Sequence, residues 1–194
     1  ERIDALLAED AAEVQAAIAD VLAESKAGVD STVNATEQAK TEEVAAKREE
    51  LQARIEIAEQ QTNHDATPAQ KEAGNYAKGK FSWNGLTVSV ETAKGEERTD
   101  KETNGDKWRV TMPATYGYIL GTVGADKDHV DVFMGDSPES DLVFVVNQNK
   151  VDSQSFDEHK VMAGFSSAKD ARDAYLGSFE GDFGKSVLGS ISGP

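Results

Sequence analysis

The chain has 194 residues and carries 36 acidic against 20 basic side chains, so its formal net charge is -16. This acid excess argues against direct binding to nucleic acids or to anionic membranes, because phosphate-rich partners are held by clustered Lys and Arg. The chain has no cysteine, which excludes disulfides, thiolate zinc sites and thiol nucleophiles, and its apolar runs fall far short of the ~20 residues that span a bilayer.

Residues 1–62 are predicted to be helical. They include no aromatic residue, no proline and one glycine, and they are rich in Ala, Glu, Gln and Lys, which favour helices. Apolar residues recur every three or four positions from Ile3 to Val21, and Val44, Leu51, Ile55 and Ala58 share one face further on, which indicates a narrow apolar stripe on each of two helices. Gly28-Val29-Asp30-Ser31 predicts the break between them.

These stripes are too thin to stabilise the helices alone. We therefore expect a coiled-coil-like arm that pairs with itself, with copies of itself or with a partner. The chain begins with Glu1 rather than Met, so we also expect it to be part of a longer chain.

Beyond a polar linker at residues 63–70, the pattern changes to short alternating runs. Residues 81–90, with Asn84-Gly85 at their centre, predict a β-hairpin. Further strands are predicted at 108–112, 116–120, 130–134, 142–147 and 156–165. Ser167 predicts the N-cap of a helix, with Asp170 three residues on. We predict an α+β fold, in which residues 71–194 form a small five-stranded, OB-like β-barrel with a flanking C-terminal helix.

Three carboxylates lie close together in one glycine-flanked loop. Asp126, Asp128 and Asp131 occupy positions i, i+2 and i+5, and the loop leads into an apolar strand. Carboxylates that converge repel one another unless a cation lies between them, and oxygen ligands without His or Cys favour Mg²⁺ or Mn²⁺. An EF-hand is excluded, because its sixth position is Asp131 and its twelfth is Ser137. A solvated acidic turn is the alternative, which the flanking Tyr116–Ile119 disfavours.

Tyr116-Gly117-Tyr118-Ile119 and the three aspartates together resemble the signature of the family I soluble inorganic pyrophosphatases. Glu91-Thr92-Ala93-Lys94-Gly95 is similar to the Glu-Ile-Pro-Lys-Gly segment of that family. In particular, residues 67–162 resemble the pyrophosphatase-like module of bacteriophage polyvalent and head-associated proteins. The resemblance implies Mg²⁺-dependent hydrolysis of inorganic diphosphate to two phosphates, with Mn²⁺ as a possible substitute.

The resemblance also implies roles for individual residues. Asp128 would hold the attacking water and accept its proton, and Tyr116 would donate a hydrogen bond to a phosphate oxygen. The implied metal ligands are Asp126, Asp128, Asp131, Asp152 and Asp157, with Glu158 as a competing ligand. The implied substrate-binding residues are Glu91, Lys94, Arg98, Asp100, Arg109, Tyr116 and Lys160.

Partners and location follow from the same resemblance. Inorganic diphosphate is the implied substrate, and the implied location is the host cytoplasm or the phage virion, without secretion or membrane insertion. Through residues 1–62 we expect a homo-oligomer or a larger phage assembly. Two alternatives stay open: a structural portal or head-associated subunit with a weakly active or inert barrel, and a hydrolase of nucleotides or other phosphoanhydrides.

Overall fold

The computed structural model describes the backbone of residues 2–101 and 107–194 and the side chains of residues 19–21, 23–26, 33–71, 73–99 and 108–194. The chain forms two compact units, Glu1–Ala46 and Lys47–Pro194. In the first unit every side chain from 33 to 46 is exposed. Within the described ranges no helix is both long and apolar enough to cross a membrane.

The first element is one helix, α1, Arg2–Gln61. The predicted break at Gly28–Ser31 is therefore wrong. A glycine inside a helix costs only about 1 kcal/mol relative to alanine. Strong helix formers on both sides outweigh that cost, and no proline reinforces the stop.

Nine strands follow in the described ranges. They are β1 Lys80–Trp83, β2 Leu86–Thr92, β3 Glu97–Lys101, β4 Lys107–Thr111, β5 Thr115–Ile119, β6 Val130–Met134, β7 Val143–Asn149, β8 Phe156–Ala163 and β9 Leu188–Ser192. Seven of them form one sheet in the order β1-β2-β5-β6-β8-β7-β9, and β3 and β4 pair as a separate ribbon. β6 and β8 pair in parallel, and the other neighbours are antiparallel.

Three shorter helices accompany the strands: α2 Pro68–Glu72, α3 Ala168–Gly177 and α4 Phe183–Val187. The predicted cap of α3 is confirmed, because the Ser167 side chain accepts a hydrogen bond from Asp170 N. Ala171, Ala174 and Tyr175 form the buried face of this helix, as their spacing predicts.

The α+β class, with an N-terminal helix and a C-terminal helix beside a sheet, is confirmed. Among the described strands the edge strands β1 and β9 do not pair with each other, so the sheet is open and has seven strands, where a five-stranded barrel was expected. Sequence analysis missed β3 and β9 because their residues, Glu-Arg-Thr-Asp-Lys and Leu-Gly-Ser-Ile-Ser, lack a regular apolar alternation.

Each face of the sheet carries its own hydrophobic core. On one face Phe133 and Met162 pack with Tyr175 of α3. On the other face Val132 packs in a cluster that includes Ile55, near the end of α1. Because successive strand residues point to opposite faces, Val132 and Phe133 enter different cores. The last turns of α1 therefore belong to the core of the second unit.

The segment that follows α1 is fixed to the sheet by its backbone. Thr62 Oγ1 donates to Ala58 O at 2.9 Å and accepts from Gly79 N at 3.0 Å. Val90 N in β2 donates to Gly79 O at 2.9 Å. A Cβ on Gly79 would lie 1.8 Å from Ala58 O, so this close approach requires glycine.

His64 connects the end of α1 to the turn between β2 and β3. Its Nδ1 lies 2.8 Å from Glu96 Oε2, and its Nε2 lies 2.8 Å from Glu59 O. Both partners are acceptors, so the ring can donate to both only as the imidazolium. Burial lowers the pKa of His64, but the hydrogen bonds and charges of Glu96 and Glu59 outweigh it and raise the pKa above its usual value.

Two isoleucines of α1 test whether its last turns are part of the core. Ile55 is 3% exposed, whereas Ile57 is 53% exposed. We expect Ile55→Ala to lower the free energy of unfolding by about 2–5 kcal/mol and Ile57→Ala to change it by less than about 0.5 kcal/mol, as measured by urea unfolding of the full chain. Equal effects of the two substitutions would contradict the packing described.

The His64 contacts predict a pH-dependent contribution to stability. Because the folded-state pKa is raised, the contribution is complete below the unfolded pKa near 6.5 and is lost as the pH rises through the folded-state pKa. The wild type should therefore lose stability relative to His64→Gln as the pH rises above about 6.5 in urea titrations. In a Glu96→Gln background that pH dependence should shrink; an unchanged dependence would argue against the ion pair.

Candidate active site

A row of polar side chains crosses the sheet face that packs against α3. We call it the polar row: Tyr116 on β5, Asp131 on β6, Lys160 and Glu158 on β8, and Gln148 on β7. Strand register brings these residues together, because Asp131 pairs with Lys160 across the parallel strands. Glu158 pairs with Gln148 across the antiparallel strands, and paired residues share a face.

Lys160 is the centre of the polar row. Its Nζ lies 2.5 Å from Asp131 Oδ2 and 2.8 Å from Glu158 Oε1, and its side chain is only 9% exposed. A buried ammonium is costly unless it is paired and hydrogen-bonded. The two carboxylates meet that requirement, so the lysine and the two acids stabilise one another's positions.

Tyr116 binds the same carboxylate from the other side. Its hydroxyl donates to Asp131 Oδ2 at 2.5 Å. Burial is the main reason why the pKa of Tyr116 is far above its usual value; the negative charges of Asp131 and, more weakly, Glu91 add to the shift, and Arg98 opposes it. The phenol therefore remains a neutral hydrogen-bond donor at any physiological pH.

The pKa of Glu158 depends on the charges around the polar row. Its Oε1 accepts a hydrogen bond from Gln148 Nε2 at 2.8 Å. Burial raises its pKa, Lys160 opposes the shift, and the negative charges of Asp131 and Asp126 contribute to it. Asp126, which lies on the loop between β5 and β6, is thus within electrostatic range of the row.

The loop between β5 and β6 carries Asp126 and Asp128, and both side chains are exposed. Asp126 Oδ1 accepts from Asp128 N at 3.1 Å, and Asp128 Oδ1 accepts from His129 N at 2.7 Å. His129 Nδ1 lies 2.8 Å from Thr122 O. These local bonds fix the loop through one oxygen of each carboxylate.

Glu91 approaches the row through a β-bulge. Val90 pairs with Gly117 and Thr92 pairs with Tyr116, so Glu91 is the extra residue between two ladder positions. Bulges commonly redirect a side chain next to a functional site. The Glu91 carboxylate forms an ion pair with Lys78 at 2.8 Å.

Asp157 lies at a second irregularity of the sheet. Gln148 pairs with Glu158 and Asn149 pairs with Phe156, which leaves Asp157 as the extra residue on β8. Two of the acidic residues singled out by sequence, Glu91 and Asp157, therefore interrupt strand ladders at positions next to the row.

Gly117 separates the two tyrosines of the Tyr-Gly-Tyr motif. A Cβ at this position would lie 2.0 Å from Ser89 O on β2, so the close approach of β2 and β5 requires glycine. Tyr116 and Tyr118 flank it on β5 and point to the opposite face. The motif thus combines a tight strand contact on one face with two tyrosines on the other.

Arg98 joins the group through aromatic contacts. Its guanidinium lies 5.1 Å from the centre of the Tyr116 ring and 5.8 Å from that of Trp108. The position over Tyr116 places a permanent positive charge beside the polar row.

The other predicted residues that the structure describes make contacts outside the polar row. Lys94 Nζ pairs with Asp136 at 2.5 Å. Arg109 pairs with Glu97 at 3.2 Å across the ribbon. Asp152 is exposed in the turn before β8 and accepts from Ser153 N. The side chain of Asp100 lies outside the described residues.

Sequence analysis missed three contributors to this region: Lys78, Gln148 and Tyr175. Tyr175 donates from its hydroxyl to Gln148 Oε1 at 2.8 Å and so orients the amide that binds Glu158. Each of them meets its partner through strand register or tertiary packing, which a single sequence does not encode locally. For these three residues the sequence offers one indication, the helical spacing of Tyr175 with Ala171 and Ala174 in α3, and that spacing predicts a packing role.

The donor chemistry of this region fits a hard divalent cation. The carboxylates of Asp126, Asp131 and Glu158 are oxygen donors of the kind that Mg²⁺ and Mn²⁺ prefer, and burial together with the charge of its acidic neighbours raises the pKa of Glu158. Among the described side chains, however, no group of three or more His, Asp or Glu is close enough to hold one ion. In this arrangement the Lys160 ammonium supplies the positive charge between Asp131 and Glu158.

A comparison with family models adds evidence that is independent of this geometry. A model described as Inorganic Pyrophosphatase matches residues 68–192. The matched range contains the polar row, both bulges and the acidic loop. Searches of curated proteins and of solved structures found no match.

Proposed function

Because the chain belongs to the inorganic pyrophosphatase family, we propose that the polar row and the adjoining acidic loop form a Mg²⁺-dependent site that hydrolyses inorganic diphosphate to two phosphates. The observation that carries the proposal is the convergence of two proton donors, Tyr116 and Lys160, on one oxygen of Asp131. A site for a metal-bound phosphate needs both kinds of group side by side, carboxylates and cationic or hydroxyl donors.

The donors of the site have roles in binding the phosphoryl oxygens. Lys160 and Tyr116, together with Arg98 over the Tyr116 ring, would provide two positive charges and a hydroxyl. The resemblance implies the same role for Lys94 and Arg109, whose side chains pair with Asp136 and Glu97. Glu91 and Asp100 are anionic, so they would act on the substrate through a cation or water.

The acidic residues would hold the metal. These are Asp126, Asp128 and Asp131, with Asp152, Asp157 and Glu158 as further ligands. Bound Mg²⁺ would neutralise substrate charge and lower the pKa of a coordinated water. Lys160, which lies between Asp131 and Glu158, would bind a phosphoryl oxygen if those two carboxylates held a cation.

Asp128 is the proposed base. Its Oδ1 accepts a hydrogen bond from His129 N, and the carboxylate is exposed, so a water could reach it. The water oxygen attacks one phosphorus, the bridging P–O bond breaks, the second phosphate leaves, and Asp128 takes the proton of the water.

Replacement of the proposed base tests the assignment. We expect Asp128→Asn to lower Mg²⁺-dependent phosphate release from diphosphate at least about a hundredfold, because the amide cannot accept the proton. Asp141→Asn is the matched control, since the Asp141 side chain is 94% exposed and should be neutral. Phosphate is measured by malachite green with diphosphate, ATP and tripolyphosphate, with and without Mg²⁺.

Three outcomes would decide against the proposal. Unchanged turnover in Asp128→Asn would reject the role of the base. A preference for ATP or tripolyphosphate would favour the phosphoanhydride alternative. No turnover of any substrate by the wild type would leave the structural alternative.

We also propose that residues 1–46 mediate self-association, as part of a phage assembly or independently of one. Val21, Val33 and Val44 of α1 are 65%, 48% and 45% exposed, and burying them between copies would be favourable. In multi-angle light scattering the full chain should form oligomers, and deletion of residues 1–46 should leave a monomer with unchanged turnover. A monomeric full chain would reject self-association.

A further inference from the structure

We propose that Lys78, which precedes β1, is a positioning residue that holds the Glu91 carboxylate in place beside the polar row. This inference rests on the proposed function of that row. Lys78 Nζ lies 2.8 Å from Glu91 Oε1, and the lysine side chain is 9% exposed. Because the Lys78 ammonium is paired with Glu91 and lies against two tyrosine rings, we infer that its effect passes through the residues that it contacts.

The Lys78 ammonium contacts two aromatic rings. Its Nζ is 4.7 Å from the centre of the Tyr76 ring and 4.9 Å from that of Tyr118. Tyr118 in turn stacks on His129, with ring centres 4.9 Å apart and planes 7° apart. The two rings attract the ammonium through their faces, and the stacked imidazole fixes one of them.

The charge of Lys78 persists in this setting. Burial lowers its pKa, but the hydrogen bond and charge of Glu91 outweigh burial, so its pKa is raised. An ammonium that has lost most of its hydration depends on its one carboxylate partner. The pair is therefore a directional contact rather than a loose surface ion pair.

Glu91 needs such a contact because the bulge leaves it outside the strand ladder. Its side chain is 28% exposed, and its negative charge acts on Tyr116 together with that of Asp131. Like charges would turn an unpaired carboxylate toward solvent. Lys78 opposes that movement through its ion pair with Glu91.

The backbone around Lys78 is fixed on both sides. Asn63 N donates to Ala77 O at 2.8 Å, and Gly79 binds Thr62 Oγ1 through its N–H. Val90, the residue before Glu91, donates to Gly79 O at 2.9 Å. The chain segments that carry the two charges are thus hydrogen-bonded to each other one residue away from the ion pair.

A double-mutant cycle tests the proposal. We expect Lys78→Met to lower kcat for diphosphate about tenfold with KM changed less than about twofold, and Glu91→Gln to have a similar effect. If Lys78 acts only through Glu91, the double variant should be no slower than Glu91→Gln alone. Losses that multiply in the double variant would overturn the proposal, because they would show a separate structural effect.

Two further variants serve as controls. Lys80→Met removes the same charge from an exposed site on β1 and should leave kcat and KM unchanged. Lys78→Arg keeps a cation that can stack on both tyrosines and bind the carboxylate, so it should restore most of the lost turnover. Failure of that rescue, or an equal loss in Lys80→Met, would count against positioning. If Lys78→Met alone fails to fold, the comparison of the double variant with Glu91→Gln still tests the proposal.

A readout without substrate separates this inference from the proposed function. In a crystal structure of the Lys78→Met variant, the Glu91 carboxylate should have turned away from Tyr116. An unmoved carboxylate would overturn the positioning role even if the enzyme is active. A wild type that does not hydrolyse diphosphate would reject the proposed function, while the crystal structure would still decide the role of Lys78.

Discussion

The parallel pairing of β6 with β8 is the constraint on which the candidate site depends. It places Asp131 directly opposite Lys160, and the ion pair of these residues then fixes Tyr116 on one side and Glu158 on the other. A slip of one residue would turn Asp131 and its neighbours to the opposite face. That slip would also move Val132 and Phe133 out of their separate cores, so hydrophobic packing on both faces protects the register of the polar groups.

The strongly acidic chain keeps its buried charges in balance locally. Lys160 lies between two carboxylates, and Lys78 lies between two tyrosines and Glu91. Each ammonium has lost most of its water and is compensated by carboxylates at hydrogen-bonding distance. The net charge of -16 therefore does not predict the local charge of the site, where positive and negative groups are paired.

Features encoded within a few residues could be predicted from the sequence. The Asn84-Gly85 turn has φ values of 46° and 81°, as a two-residue hairpin requires, and the Ser167 cap and the strand after Asp128 follow equally local rules. The uninterrupted α1 could not be predicted, because a weak local signal at Gly28 was outweighed by long helix-forming flanks. The contacts of Glu91 with Lys78 and of Glu158 with Gln148 depend on bulges and register, which form only when distant segments pair.

The burial of Ile55 and Ala58 bears on how this module could be excised or grafted. The family match begins at residue 68, yet the cluster under Phe81 and Trp83 includes these two residues of the preceding helix. A boundary drawn from similarity alone would cut through a hydrophobic core and uncover two large aromatic rings. Any transplant of this module into another polypeptide therefore has to carry the last turns of its leading helix, from Ile55 onward at least.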